Sequence, residues 1–219
     1  MLDYMGMGKF KIIGIGGPKG TGKTTLAENV EKESGGAIVR TPIDDWQYDI
    51  IWNKCTPEEK KSFTGDYPRE GETFDEWFGR TYTETTQEAE KRWVELSKDS
   101  LLEEFYKYSQ WAKQHYDGIV YDSIISDVFH RMGIVDLLYG MKTKDQANRK
   151  SAVLARDPNG WDGSFGVNFL EECDMAYQEH HNYLYENCFR VLETVYNDDG
   201  ESQRRNTKIV LDDFEATMS

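Results

Sequence analysis

Cysteine is scarce. The three present, Cys55, Cys173 and Cys188, are too far apart and too few for a disulfide framework, and none belongs to a CxxC or His-Cys cluster that would mark a zinc site. They read as reduced core or surface thiols, which favours an intracellular, cytoplasmic protein. No apolar run approaches the ~18 residues of a membrane span, so no membrane role is expected. The opening MLDYMGMGKF lacks the form of a secretory signal, because the apolar stretch behind it is short and runs into glycines. Positive charge is also in short supply: 26 Lys plus Arg stand against 40 Asp plus Glu, a net charge of −14. Such a surface repels a duplex phosphate backbone and disfavours extended nucleic-acid binding, although a local basic groove is compatible with it. Internal repeats and low-complexity segments are lacking too.

Aromatic residues, in contrast, are plentiful and argue against disorder. A chain of 219 residues suits one α/β domain, residues 1–219, that buries a core without disulfides or metals. The stretch 11–15, KIIGI, reads as a buried strand, 16–22 as a glycine-rich turn, and 23–34 as a helix stopped by Gly35 and Gly36. A second strand, AIVR, follows at 37–40. Strand, turn, helix and strand make a βαβ unit and predict a parallel sheet flanked by helices. Thr56-Pro57-Glu58-Glu59 is a capping box with proline at the first helical position, and Thr73 to Glu76 repeats the pattern. A helical pattern spans about 83–115, with a kink expected near 97–100. Residues 118–122, GIVYD, read as a buried strand, and another is expected within 134–141. A helix is expected over 169–187. The segments 189–195 and 207–211 look strand-like and are expected to form a C-terminal β-hairpin.

Gly17-Pro18-Lys19-Gly20-Thr21-Gly22-Lys23-Thr24 fits GxxxxGK[ST], the phosphate-binding P-loop. The glycines let the backbone wrap closely with N–H groups aimed at phosphate oxygens. The helix that starts at Lys23 points its positive end at the same anion. Lys23 supplies charge to the β- and γ-phosphates, and Thr24 is placed to ligate Mg²⁺. Thr25 completes the loop's set of candidates. ATP and Mg²⁺ are therefore the expected cofactors. Asp122, at the C-terminal end of its strand, is a candidate to hold Mg²⁺, with Asp127 as its competitor and helix capping as the ordinary alternative. Residues 142–156 are the most basic stretch, with Lys142, Lys144, Arg149, Lys150 and Arg156 against the lone acid Asp145. This reads either as a mobile lid over 142–163, with Arg149 and Arg156 balancing charge on a moving phosphoryl group, or as a solvated helix face.

With these residues in place, the chain resembles the thymidylate kinase and deoxyribonucleoside kinase branch of the P-loop kinases over most of its length. Three segments carry the likeness: 39–46, VRTPIDDW; 121–127, YDSIISD; and 135–139, VDLLY, followed by Arg149. The resemblance implies a small ATP-dependent kinase acting on a nucleotide or nucleoside, with a pyrimidine deoxy compound as the expected acceptor, and homodimers are common among its members. It departs from the pattern on the acceptor side. Ser123 stands where the family has an arginine that grips the acceptor's 5′ group, and Thr41 stands where nucleoside kinases have a glutamate base, leaving Asp44 or Asp45 as substitutes. Arg40 and Arg80 are candidates for an acceptor phosphate or for surface ion pairs. Trp46, Phe78 and Tyr82, with Trp77, are candidates for stacking on a base or for the core. Two other functions stay open. One is a kinase for a hydroxymethylated pyrimidine in DNA, which would account for the lost arginine and is the one reading with a DNA partner. The other is an ATPase or GTPase switch, although no NKxD motif appears.

Overall fold

The computed structural model describes residues 10–81, 87–156, 169–196 and 198–219. β1 (Lys11–Gly16) leads through the P-loop into α1 (Lys23–Glu33), and β2 (Ile38–Arg40) follows. Next come α2 (Ile43–Lys54), α3 (Pro57–Thr64), α4 (Phe74–Thr81) and the long α5 (Gln87–Ala112). β3 (Gly118–Asp122), α6 (Ser126–Arg131), β4 (Leu137–Lys142) and α7 (Gln146–Arg156) form the middle of the chain. It ends with α8 (Phe169–Ala176), α9 (Gln178–Asn187), β5 (Arg190–Glu193) and α10 (Glu201–Met218).

The five strands form one parallel sheet in the order β2-β3-β1-β4-β5. Side chains alternate across a strand, so each strand feeds two cores. On one face Ile13, Ile15, Val120, Tyr139 and Met141 pack with Leu26 and Val30 of α1 and Val210 and Phe214 of α10. On the other, Ile12, Ile119, Tyr121 and Leu138 pack with α2, α5, α6 and α9. A third cluster joins Ile51, Trp77, Phe78, Val153 and Cys173, tying α2 and α4 to α7 and α8. All strands being parallel, their carboxyl ends lie at one rim, where ligands of open α/β sheets bind.

The capping box at Thr56 and Glu59 is present, with both reciprocal hydrogen bonds and Pro57 in the first turn. Gly35 and Gly36 follow α1 with φ of 65° and 89°. Three expectations need correction. The C-terminal hairpin does not form. Within 189–195, β5 pairs in parallel with β4, and 207–211 lies inside α10. TKIVL is locally β-branched, but Ser202, Asn206, Val210 and Phe214 recur every four residues and, with Thr207, are the positions that α10 buries. The helix expected over 169–187 is two helices, with Tyr177 between them. The helix expected to kink at 97–100 runs unbroken there. Ser97 donates to the Trp93 carbonyl at 2.9 Å and accepts from Gln47 at 3.1 Å.

Candidate active site

The P-loop follows β1, and its form depends on glycine. Gly17 has φ of 136°, and a Cβ there would collide with the Met141 carbonyl oxygen. Gly20 has φ of 81°, and its Cβ would lie 2.5 Å from Val153 Cγ2 of α7. No other residue tolerates both the left-handed backbone and the close approach. The loop's carbonyls are bound both from within the loop and from outside it. Pro18 O accepts from Thr21 Oγ1 at 2.8 Å and from Lys23 Nζ at 3.1 Å. Lys19 O accepts from Arg149 Nε at 2.7 Å, Gly20 O from the Tyr196 hydroxyl, Thr21 O from Thr194 Oγ1 at 2.9 Å, and Gly22 O from Gln203 Nε2 at 3.3 Å. Turning successive carbonyls outward makes the concave row of N–H groups that holds an anion. Thr194, Tyr196 and Gln203 have no motif around them, and only the fold reveals their part.

Lys23 is buried at 8% exposure on the first turn of α1, while Thr25 in the same turn is exposed. Thr24 Oγ1 donates to Asp122 Oδ2 at 2.7 Å. The register Ile15↔Asp122 explains this meeting: β3 ends beside the strand that feeds the loop. Asp122 is 4% exposed, and its other oxygen accepts from Arg40 Nε and Nη2 at 3.2 and 3.1 Å. Two hard oxygen ligands converging beside a phosphate loop suit Mg²⁺, which is ordinarily held by one or two protein oxygens plus phosphates and water. Thr24 and Asp122 are the residues that would hold it. Asp127 is engaged elsewhere, with Arg131 Nε at 3.0 Å and His180 Nδ1 at 2.8 Å.

Arg149 is 3% exposed and pressed onto the loop. Besides Lys19 O, it binds Asp174 of α8 through two contacts of 2.7 and 2.6 Å, and Gln146 at 2.9 Å. The basic segment is thus, over α7, a docked helix rather than a solvated face, and Asp174 is a partner that the sequence did not announce. Arg156 ends α7, but its side chain lies outside the described residues, as do residues 157–163 of the lid segment and Tyr82. The side chain of Asp44 in α2 is likewise outside them.

The acceptor candidates scatter. Arg40 reaches the Thr24–Asp122 corner, with Glu28 3.7 Å away on its other side. Trp46 is half-buried and packs edge-on against Tyr108 at 5.3 Å. Phe78, 4% exposed and stacked on Phe74, belongs to the third core cluster, so its expected role as a stacking ring is corrected to packing. Arg80 binds Glu72 at 2.7 Å and Asp66 at 2.6 Å, and its hydrogen bonds hold Glu72 at about 2, far below the usual carboxylate range. Arg80 is thereby corrected from acceptor ligand to structural ion pair. Ser123 is buried, with its backbone N–H on Ile15 O and its hydroxyl accepting from the Ile125 N–H.

No protein-family model matches the chain, and no curated protein matches it either. Solved structures do. TT1252 from Thermus thermophilus superposes with a TM-score of 0.61 at 18% identity, covering 94% of this chain and 98% of that one. Dephospho-CoA kinase from Campylobacter jejuni gives 0.52 at 12% identity, covering 93% and 97%. Shikimate kinase from Bacteroides thetaiotaomicron gives 0.52 at 12% identity, covering 94% and 98%. At such identities the likeness speaks of architecture: the chain has the α/β fold of the P-loop kinases, a five-stranded parallel sheet flanked by helices.

Proposed function

We propose that this chain is a P-loop kinase that transfers the γ-phosphate of ATP to a hydroxyl of a small molecule, with a pyrimidine nucleoside or nucleotide as the first acceptor class to examine. The carrying observation is the contact between Thr24 and Asp122 beside the loop. A loop alone binds an anion, whereas a loop with a buried carboxylate at its magnesium ligand is equipped for phosphoryl transfer. Two of the solved structures of like fold bear the names of kinases, which agrees with this reading. The substrate class rests on the sequence resemblance.

In this reading the loop N–H groups and Lys23 hold and neutralise the β- and γ-phosphates. Mg²⁺, when bound, supplies further charge neutralisation at those oxygens. Arg149, beside Lys19, adds a guanidinium at the edge of the loop. The net charge of −14 weighs against a DNA acceptor. The test is incubation with γ-labelled ATP, Mg²⁺ and a panel of nucleosides, nucleoside monophosphates and short hydroxymethylated DNA. Label on a nucleoside or monophosphate supports the proposal. Label on DNA alone supports the DNA-modifying reading, and label released as inorganic phosphate with every acceptor supports an ATPase.

A further inference from the structure

Among the described residues, four buried side-chain polar atoms lack a hydrogen-bond partner: Thr41 Oγ1, Ser126 Oγ, His181 Nε2 and Gln203 Oε1. A buried polar atom left unpaired costs about 1–3 kcal/mol, so each needs a reason. Gln203 sits over Gly22 on the donor side, its amide on that residue's carbonyl. The other three share a different place.

Thr41 follows β2 at the sheet's carboxyl rim, with its N–H on Val120 O. It is one residue beyond Arg40, so its side chain takes the opposite face from Arg40 and Asp122. Ser126 Oγ lies against Gly16 at the end of β1, where a Cβ would collide with it, and Leu184 of α9 flanks the same point. His181 stands one helical turn before Leu184, 8% exposed. Leu184 lies against Gly16, so this face of α9 turns toward the end of β1, and Lys23, Arg149 and Asp174 act on the His181 ring electrostatically. All three atoms therefore belong to the rim on the α2, α5, α6 and α9 side. Magnesium's two candidate ligands lie on the α1 side.

A cavity of about 610 Å³ opens between α5, α6 and α9, on the same face of the sheet. Asp127 and His180, the sequence neighbours of Ser126 and His181, are in its wall. So are Lys98 and Arg131, but they are outnumbered by Asp99, Asp127 and Glu179. Arg40, Arg80, Arg131 and Arg149 are each paired with a carboxylate. The atoms left for an acceptor at the rim are two hydroxyls and an imidazole, none of them the guanidinium clamp that a phosphate monoester needs.

We propose that Thr41, Ser126 and His181 form the acceptor site and that the acceptor group they take is an uncharged hydroxyl compound, nucleoside-like, rather than a phosphate monoester. This rests on the kinase reading above. The acceptor oxygen forms a bond to the γ-phosphorus, the bond from that phosphorus to the β–γ bridging oxygen breaks, and ADP leaves with its electron pair. The hydroxyl proton ends in water. Burial pushes His181 down to about 4, so its neutral ring orients the hydroxyl and does not keep its proton.

The test uses matched pairs, thymidine and deoxycytidine against their 5′-monophosphates, with ribose and glycerol as further neutral acceptors, in the presence of γ-labelled ATP and Mg²⁺. Expected is label on an uncharged member and at least tenfold lower kcat/KM for its phosphorylated twin. The isosteric Thr41→Val and the conservative Ser126→Ala should each raise the acceptor KM about 3- to 10-fold, the worth of one neutral hydrogen bond, with a smaller change in kcat. His181→Leu should exceed His181→Gln in this effect, since glutamine retains a polar atom. Preference for the monophosphates, or unchanged acceptor KM in all these variants, overturns the inference and leaves the kinase reading standing. Hydrolysis of ATP with no label on any acceptor of either kind overturns the kinase reading itself. Should a variant fail to fold, the matched pairs on the native protein still decide.

Discussion

Asp122 is asked to do two things with one buried carboxylate: accept from Thr24 and balance Arg40. Asp122→Asn keeps the size and removes the charge. We expect the Mg²⁺ concentration for half-maximal turnover to rise at least tenfold while metal-free ATP binding changes less, because that charge serves the metal linkage and the Arg40 pair rather than the loop's hold on phosphate. An unchanged magnesium titration would move the metal site elsewhere. His181 offers a pH test at the same scale. Burial, reinforced by Lys23 and Arg149 and opposed by Asp174, pushes it from an ordinary 6.5 to about 4, with His180 adding to the depression. The unfolded chain then takes up a proton near 6.5 that the fold refuses until about 4. Its contribution to stability is intact above 6.5 and is lost as pH falls toward 4. Relative to His181→Gln, the native protein should lose on the order of 2 kcal/mol in unfolding free energy between pH 7 and 4.5, at about 1.4 kcal/mol per pKa unit. Parallel stability profiles for the two proteins would contradict this.

At the scale of elements, α7 is the piece whose position matters most. Arg149 bridges the loop at Lys19 to Asp174 of α8, and Val153 fills the space over Gly20. Asp174→Ala leaves the Arg149 guanidinium almost wholly buried without its carboxylate. We expect a loss of about 3 kcal/mol in denaturant unfolding, the lower end for a broken buried pair because Asp174 itself is 37% exposed. A loss below about 0.5 kcal/mol would show that α7 leaves the loop freely. This scale also separates what the sequence disclosed from what it did not. The P-loop, its flanking strand and helix, and the acid closing β3 were legible because local chemistry demands them. The last helix was not, since TKIVL favours a strand locally and only the four-residue spacing from Ser202 to Phe214 reveals α10. The clamp by Asp174, Thr194, Tyr196 and Gln203 was invisible for a different reason: these residues join the loop only through long-range packing. Arg80 and Phe78 carry suitable chemistry, but tertiary partners absorb it.

Across the whole molecule, the parallel sheet brings the ends of β1 and β3 together, so that the loop with its threonine and an aspartate about a hundred residues on share one rim. Among the described residues no helix is long and apolar enough to cross a membrane. The proposed phosphate transfer at this rim depends on the loop lysine. Its most direct test is one assay of γ-phosphate transfer to the best small-molecule acceptor, with and without Mg²⁺, on native protein and on Lys23→Ala. Lys23 is mostly buried against its own loop, and its loss removes transition-state charge stabilisation of roughly several kcal/mol. We expect magnesium-dependent transfer by the native protein and at least a thousandfold lower turnover by a Lys23→Ala protein that unfolds normally; near-native transfer by that variant would rule out the role given to Lys23.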